Sequence, residues 1–260
     1  MNQGCATGES TVGILIIGDE ILSGRRTDQH LAAVITRLAP RGCLPGWVQI
    51  IGDDAPRIER VLRESRALGD IVFCFGGIGA TPDDLTRAAA AEAFDRPLQR
   101  HPEAVHLIET EFGTQAHPHR ILMADLPYGA GLIPNPVNRV PGFYLDQHFF
   151  MPGFPSMAHP MLDWIMTGPL AALDQRDYRE QSLWVLDVSE STLIGLMSEL
   201  CQNYPELKLF SLPTRLGVRS VIELGFKGAA LRVAEVMSLL PVRLDALGIR
   251  HQLERPDAES

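Results

Sequence analysis

From Thr11 onward, the chain alternates short apolar segments with amphipathic ones. Val12–Ile17 (VGILII) and Ile71–Phe75 (IVFCF) are almost wholly apolar, which is typical of strands covered on both faces, and Trp47–Ile51 predicts a further strand. Apolar residues at helical spacing predict helices over residues 27–38, 56–68 and 83–94. Three consecutive β-α units predict an α/β fold with a doubly wound, mostly parallel sheet.

The second half of the chain has a different pattern. A helix is predicted over residues 97–112, whereas the Pro- and Gly-rich residues 113–155 predict a binding loop. After a helix near residues 156–173, a polar break at 174–180 predicts the boundary between a domain at 11–174 and a smaller α+β domain at 180–250. The smaller domain has predicted strands at 183–188, 208–211 and 220–226, predicted helices at 190–203 and 229–247, and a frayed tail from Arg250.

The segment GGIGATPDDLT, residues 76–86, is the strongest candidate for chemistry, because it joins a buried strand to a predicted helix. Its glycines would let a ligand approach the backbone, and free N–H groups at a helix start favour an anion such as phosphate. Asp83 and Asp84 would repel that phosphate unless a divalent cation lay between them. The alternative is that both aspartates only cap the helix and complement its dipole.

Acidic pairs follow each of the three strands. If the first and third strands are neighbours, Asp19 and Glu20 converge with Asp83 and Asp84 on one crevice at the carboxyl edge of the sheet. Capping of a helix before Pro56 accounts for the pair at 53–54. Beyond the first pair, Asp28 could either cap a helix or point into the crevice, and we expect His30 to lie on the helix surface.

Composition excludes several classes of function. The formal net charge of −9 and the lack of a basic stripe argue against nucleic-acid binding. No apolar run reaches the roughly 20 residues that span a bilayer, and the first ten residues lack the features of a signal peptide. The four cysteines are far apart in sequence and form no C-x-x-C pair, which favours reduced thiols and a cytoplasmic protein.

Two motifs, GDEILSG at 18–24 and GGIGATPDDLT at 76–86, resemble the MoaB/MogA-type molybdopterin-binding domain in the form found at the N-terminus of CinA proteins. The similarity continues through residues 126–130, Asn135, 140–143 and 151–155, and extends to about residue 170. The deamidase domain that follows in full-length CinA proteins has no counterpart in the sequence, so we expect no amide hydrolysis.

The resemblance implies a small-molecule pterin or nucleotide ligand, with molybdopterin itself as one alternative, and Mg²⁺ or another divalent metal. It also implies homo-oligomers. Carried over by position, Asp19, Asp83 and Asp84 would be the catalytic and metal-binding residues. The ligand-binding residues would be Gly18, Glu20, Ser23, Gly24, Asp28, Gly76, Gly77, Gly79, Thr81, Thr86, Pro152 and Gly153.

The chain departs from the family pattern at four positions. It has His30, Phe75, Ala80 and Met157 where the family usually has Asn, Thr, Pro and Glu. Loss of polar groups near the ligand bears on catalysis more than on the fold. The leading hypothesis is a metal-dependent nucleotide pyrophosphatase acting on ADP-ribose-type substrates. The alternatives are a non-catalytic pterin- or nucleotide-binding module and a molybdenum-cofactor biosynthesis protein.

Overall fold

The structure is a computed structural model that describes residues 11–173, 178–217 and 219–257. The chain divides into two compact units, Met1–Asp174 and Gln175–Ser260. The predicted boundary at 174–180 lies partly outside the described residues.

The first unit is built on a six-stranded sheet. Its strands are β1 (Val12–Ile17), β2 (Trp47–Ile51), β3 (Ile71–Phe75), β6 (Gly131–Ile133), β7 (Gly142–Leu145) and β8 (His148–Met151), in the order β2-β1-β3-β8-β7-β6. Strands β2, β1, β3 and β8 are parallel, and β7 and β6 are antiparallel to their neighbours. The first and third strands are therefore neighbours, as the convergence of the acidic pairs requires.

Helices cover both faces of this sheet. They are α1 (Asp19–Leu22), α2 (His30–Leu38), α3 (Ala55–Leu68), α4 (Thr86–Ala93), α5 (Pro102–Phe112) and α6 (Pro155–Thr167). Leu15 of β1 packs in one core cluster with residues of α3, α4 and α5, whereas Ile14 packs in a second cluster with residues of α2 and α6. Adjacent strand residues point to opposite faces, so an all-apolar strand supplies both cores.

The interpretation of residues 113–155 as a loop is wrong. This segment contributes β6, β7 and β8 to the central sheet, and β5 (Asp125–Pro127) pairs with β4 (Leu98–Arg100) in a separate antiparallel ribbon. The prolines mislead because several lie in the short connections, where their missing N–H group costs no ladder bond. The helix predicted at 97–112 begins only at Pro102, because β4 occupies its first residues.

The second unit is a four-stranded antiparallel sheet with two helices. Its elements are β9 (Tyr178–Leu186), α7 (Glu190–Asn203), β10 (Lys208–Leu216), β11 (Arg219–Ala229), α8 (Ala230–Ala246) and β12 (His251–Gln252), and the sheet order is β10-β11-β9-β12. Val185, Phe226 and Leu240 lie in its buried cluster. The tail predicted to be frayed instead supplies β12, which pairs with β9.

No helix within the described ranges is both long and apolar enough to cross a membrane. Cys74 and Cys201 are free thiols, whereas Cys43 is disulfide-bonded, so the expectation of reduced thiols is wrong at that position. Sequence separation gives no information on proximity in the folded chain, which is why spacing misled there.

Candidate functional site

A cavity of about 440 Å³ opens at the carboxyl ends of β1 and β3. Because β2 lies on one side of β1 and β3 on the other, this edge is the point where the winding of the sheet reverses. Open α/β sheets bind ligands at such a point. Ile17 and Gly18 line one wall and Pro152 and Gly153, which follow β8, line another.

The floor of the cavity includes the glycine loop at residues 76–79. Gly76 has φ +101°, and a Cβ atom there would come within 2.1 Å of the carbonyl oxygen of Ile17, so only glycine fits. Gly77 has φ +68°. Within the described chain, the N–H groups of Gly77, Ile78 and Gly79 donate to no protein acceptor, although these residues line the cavity. The loop therefore has unpaired donors beside an open space.

Thr81 and Asp84 close a tight turn next to this loop. The carboxylate oxygen Oδ2 of Asp84 accepts hydrogen bonds from the Thr81 N–H at 2.8 Å and the Thr81 hydroxyl at 2.5 Å. A Cβ atom at Gly79 would lie 2.4 Å from the same oxygen. Since α4 begins only at Thr86, Asp83 and Asp84 precede the helix instead of forming its first turn.

Two buried side chains hold the loop from behind. The hydroxyl of Thr86, which has no exposed surface, donates to the carbonyl oxygen of Gly76 at 2.9 Å. The buried guanidinium of Arg87 donates to the carbonyl oxygens of Gly79 at 2.7 Å, Leu122 at 2.6 Å and Asp125 at 3.0 Å. Thr86 thus supports the loop backbone and does not line the cavity, and Arg87 is a supporting residue that the sequence motif did not single out.

Four carboxylates and one guanidinium line the cavity: Glu20, Asp53, Asp83, Asp84 and Arg26. Partial burial raises the pKa of Asp53, and the charges of Asp19, Glu20 and Asp83 raise it further, against a hydrogen bond from the Asp19 N–H at 3.1 Å. Asp53 was set aside in the sequence because capping accounted for its pair, yet Asp54 alone caps α3, accepting from the Arg57 N–H at 2.8 Å.

The predicted metal ligands do not form a metal centre by themselves. Asp19 is exposed and is not part of the cavity lining, and Oδ2 of Asp84 already accepts two hydrogen bonds from Thr81. Among the described residues, no group of three or more His, Cys, Asp and Glu side chains is arranged to hold a metal ion. The structure therefore does not bring together, around one possible metal position, the three predicted ligands Asp19, Asp83 and Asp84.

Three further predicted ligand residues lie outside the cavity lining. Ser23 and Gly24 are exposed in the turn after α1. Asp28 caps α2, since its carboxylate accepts from the N–H groups of His30 at 2.9 Å and Leu31 at 3.0 Å. Of the two alternatives for Asp28, a helix cap or a residue pointing into the crevice, the structure shows the cap. Helix α2 begins at His30, three residues later than the predicted start at residue 27.

His30 is buried, so the expectation of a surface histidine is wrong. Its ring stacks on Phe75, and its Nε2 donates to the carbonyl oxygen of Gly153 at 3.2 Å, which ties α2 to a wall of the cavity. Its Nδ1 is buried with no hydrogen-bond partner among the described residues. Burial lowers its pKa, which favours the neutral ring.

Asn135 and Asn138 also line the cavity. The amide group of Asn135 is fully used within its own turn, bonding the Asn138 side chain, the carbonyl of Val140 and the N–H of Val137. Among the described residues, the side-chain amide of Asn138 donates only to the sulfur of Met157 at 3.7 Å, a weak acceptor. Its amide N–H is therefore a polar group that a ligand could recruit, and no sequence motif identified it.

The comparisons with known proteins agree with this architecture. The family model described as "Probable molybdopterin binding domain" matches residues 13–172. A "CinA-like protein" of Geobacter metallireducens is 36% identical over 204 residues, which cover 75% of this chain and 49% of that protein. Another, from Citrifermentans bemidjiense, is 32% identical over 216 residues, or 76% of this chain and 52% of that protein. The chain spans about half the length of these curated relatives.

A crystal structure of the protein CinA of Thermoplasma acidophilum, described as having unknown function, resembles the chain with a TM-score of 0.56. The two are 27% identical, and the match covers 60% of this chain and 95% of that one. The match supports the fold of the parallel-sheet unit.

Proposed function

The chain belongs to the family of probable molybdopterin binding domains, and from that premise we propose that its first unit binds a phosphate-bearing pterin or nucleotide in the cavity beside the glycine loop. The observation that carries the proposal is the set of unpaired N–H groups at Gly77, Ile78 and Gly79, which line the cavity at the carboxyl ends of β1 and β3. Convergent backbone N–H groups bind phosphate oxygens in many α/β proteins.

The rest of the cavity lining has an apolar part and a polar part, which suits a ligand that has both an apolar and a polar end. Ile78, Phe112, Met123 and Val140 supply apolar surface, whereas Arg26 and the Asn138 amide supply polar groups. A few placed polar groups in a mostly apolar pocket are the usual features of a small-molecule site. The carboxylates repel any phosphate, and contacts between an organic body and the apolar lining would offset that repulsion, so such a ligand should bind more tightly than free phosphate or pyrophosphate.

Binding is tested by titrating purified protein with ADP-ribose, FAD and a pterin phosphate, each with and without Mg²⁺, in a calorimeter. Gly79→Ala adds a methyl group 2.4 Å from the Asp84 carboxylate and should weaken binding at least about tenfold by distorting the loop. Gly195→Ala is the matched control, because nothing lies within 4 Å of the added methyl group. Absence of binding by every ligand, or equal affinity in Gly79→Ala, would contradict the proposal.

Hydrolysis of a nucleotide pyrophosphate is a second candidate, and Asp53 is the observation that favours it. Asp53 lines the ligand cavity, and partial burial raises the pKa of its carboxyl group, which makes it the candidate for a general acid or base. Because the described acidic residues do not by themselves form a metal centre, Asp53 and not a metal ion is the proposed source of acid–base chemistry.

The same ligands serve as substrates in the test of this activity. Product formation by the wild type should fall in Asp53→Asn, which keeps the shape of the side chain and removes its titration, while binding is retained. Asp84→Ala, which disrupts the turn, should lower both binding and turnover. Binding without product at any metal concentration would leave the chain as a non-catalytic binding module.

A further inference from the structure

Phe154 and Arg26 face each other at the cavity, and neither has an evident role in folding. Both line the cavity, and the guanidinium carbon of Arg26 lies 5.9 Å from the centroid of the Phe154 ring. Phe154 is 53% exposed, and Arg26 makes no ion pair within the described part of the chain. Scattered exposed aromatics are normal, but this one is on the wall of a pocket with a cation over its face.

The position of Phe154 in its helix is also unfavourable. It is the N-cap residue of α6, where Ser, Thr, Asp or Asn would accept a hydrogen bond from the first turn, and it makes no such side-chain bond. A residue that breaks a local rule next to a cavity indicates a role outside the fold. Solvent exposure leaves the ring free for another planar group.

We propose that Phe154 and Arg26 form the subsite that binds the planar ring of the ligand, with the ring stacked between the phenyl face and the guanidinium. This inference rests on the proposed function and assigns the part of the cavity that would hold the flat purine or pterin ring of that ligand. Aromatic faces stack on such rings, and a guanidinium binds the opposite face by cation–π contact.

The distance between the two groups is compatible with this arrangement. A ring at van der Waals contact with both groups needs a separation of about 7 Å, roughly 1 Å more than the present one. The exposed Arg26 side chain can supply that shift by a small rotation, because it has no charged partner among the described residues. The arginine also brings the single positive charge among the four carboxylates of the lining.

The experiment compares ligands with and without a ring on the same variants. Calorimetry with ADP and with pyrophosphate should show that Phe154→Ala weakens ADP binding about tenfold and leaves pyrophosphate binding unchanged. Phe154→Trp should retain ADP affinity, and its indole fluorescence should be quenched by ADP but not by pyrophosphate. Tyr128→Ala is the matched control, because Tyr128 is 54% exposed and lies outside the cavity lining, and it should behave like wild type.

A pterin diphosphate titrated in parallel distinguishes a pterin from a purine. Whichever of ADP and the pterin diphosphate binds more tightly shows which ring the subsite prefers. If Phe154→Ala lowers the affinity for ADP and pyrophosphate equally, or changes neither, the stacking subsite is wrong while the phosphate site stands. If the wild type binds none of the three ligands, the proposed function fails and the subsite fails with it. Circular dichroism of each variant establishes that the fold is retained.

Discussion

The imidazole ring of His30 lies flat against the ring of Phe75, with 4.3 Å between the ring centroids and 12° between their planes. The resemblance to the MoaB/MogA-type domain implies Asn and Thr at these two positions, and the residues found here instead contact each other behind the cavity. His30 also holds the Gly153 carbonyl, so the pair connects the end of β3 with the wall that follows β8. The two departures are thus one structural feature.

This pairing should be measurable as a coupling energy. In a double-mutant cycle of His30→Ala and Phe75→Ala, we expect the free energies of unfolding in urea to show a coupling of about 0.5–1.5 kcal/mol, as for other aromatic pairs. A cycle of Phe75→Ala with Ile108→Ala, in the core on the other face of the sheet, is the control and should be additive. If the losses in unfolding free energy of His30→Ala and Phe75→Ala simply add in the double variant, the stacking contributes nothing to stability.

Burial of His148 makes stability depend on pH. Desolvation, with a smaller effect of the Arg66 charge, lowers the pKa of His148 from 6.5 to about 4, and its Nε2 is 2.8 Å from the Ser65 hydroxyl. Between those two pH values the unfolded chain binds a proton that the folded chain does not, so stability should fall as pH decreases from about 6.5 to about 4.

Urea midpoints measured across this pH range for wild type and His148→Gln test the effect. The difference in urea midpoint between wild type and His148→Gln should change with pH only below about 6.5. Above that pH, His148 is neutral in both the folded and the unfolded chain. Other groups titrate in both proteins and cancel in the difference. A difference that is constant from pH 7 to pH 4 would contradict the prediction.

Arg87 should be important for both stability and ligand affinity. Arg87→Met leaves three carbonyl oxygens, those of Gly79, Leu122 and Asp125, without their donor, which we expect to cost at least about 3 kcal/mol in urea denaturation. Ligand affinity should fall as well, since Gly79 belongs to the loop. Arg25→Met, at an exposed position, is the control and should stay within about 0.5 kcal/mol of wild type.

The turn at Thr81 and Asp84 should act as a unit with Gly79. Gly79→Ala and Asp84→Ala disturb the same carboxylate contact, so the double variant should bind ligand no more weakly than the worse single variant. Calorimetric affinities for the three variants provide the measurement. Fully additive losses would indicate that Asp84 contacts the ligand directly instead of shaping the loop.

Local residue patterns were enough to predict the parallel core and the edge of the sheet at which the cavity opens. Apolar runs such as Val12–Ile17 can be buried on both faces only in a sheet covered by helices, and Gly76 is at a backbone conformation that other residues rarely adopt. Burial of a strand on both faces and a backbone conformation that favours glycine depend on the residues of one short segment, so they can be predicted from that segment alone. The motifs around Gly18 and Gly77 accordingly identified the family and the glycine loop that lines the cavity.

Which acidic residues face the cavity depends on the folded arrangement and could not be predicted from residue type alone. Asp28 and Asp54 have the same side chain as Asp53, yet two of them cap helices and one lines the site, because the direction of a side chain depends on where its helix begins. Strands β6, β7 and β8 were missed because each has only three or four residues among prolines, which is too short for a clear alternating pattern, and only the pairing of β8 with the distant β3 places them in the sheet. The contact of His30 with Phe75 joins residues 45 positions apart, and such proximity follows from packing and not from spacing.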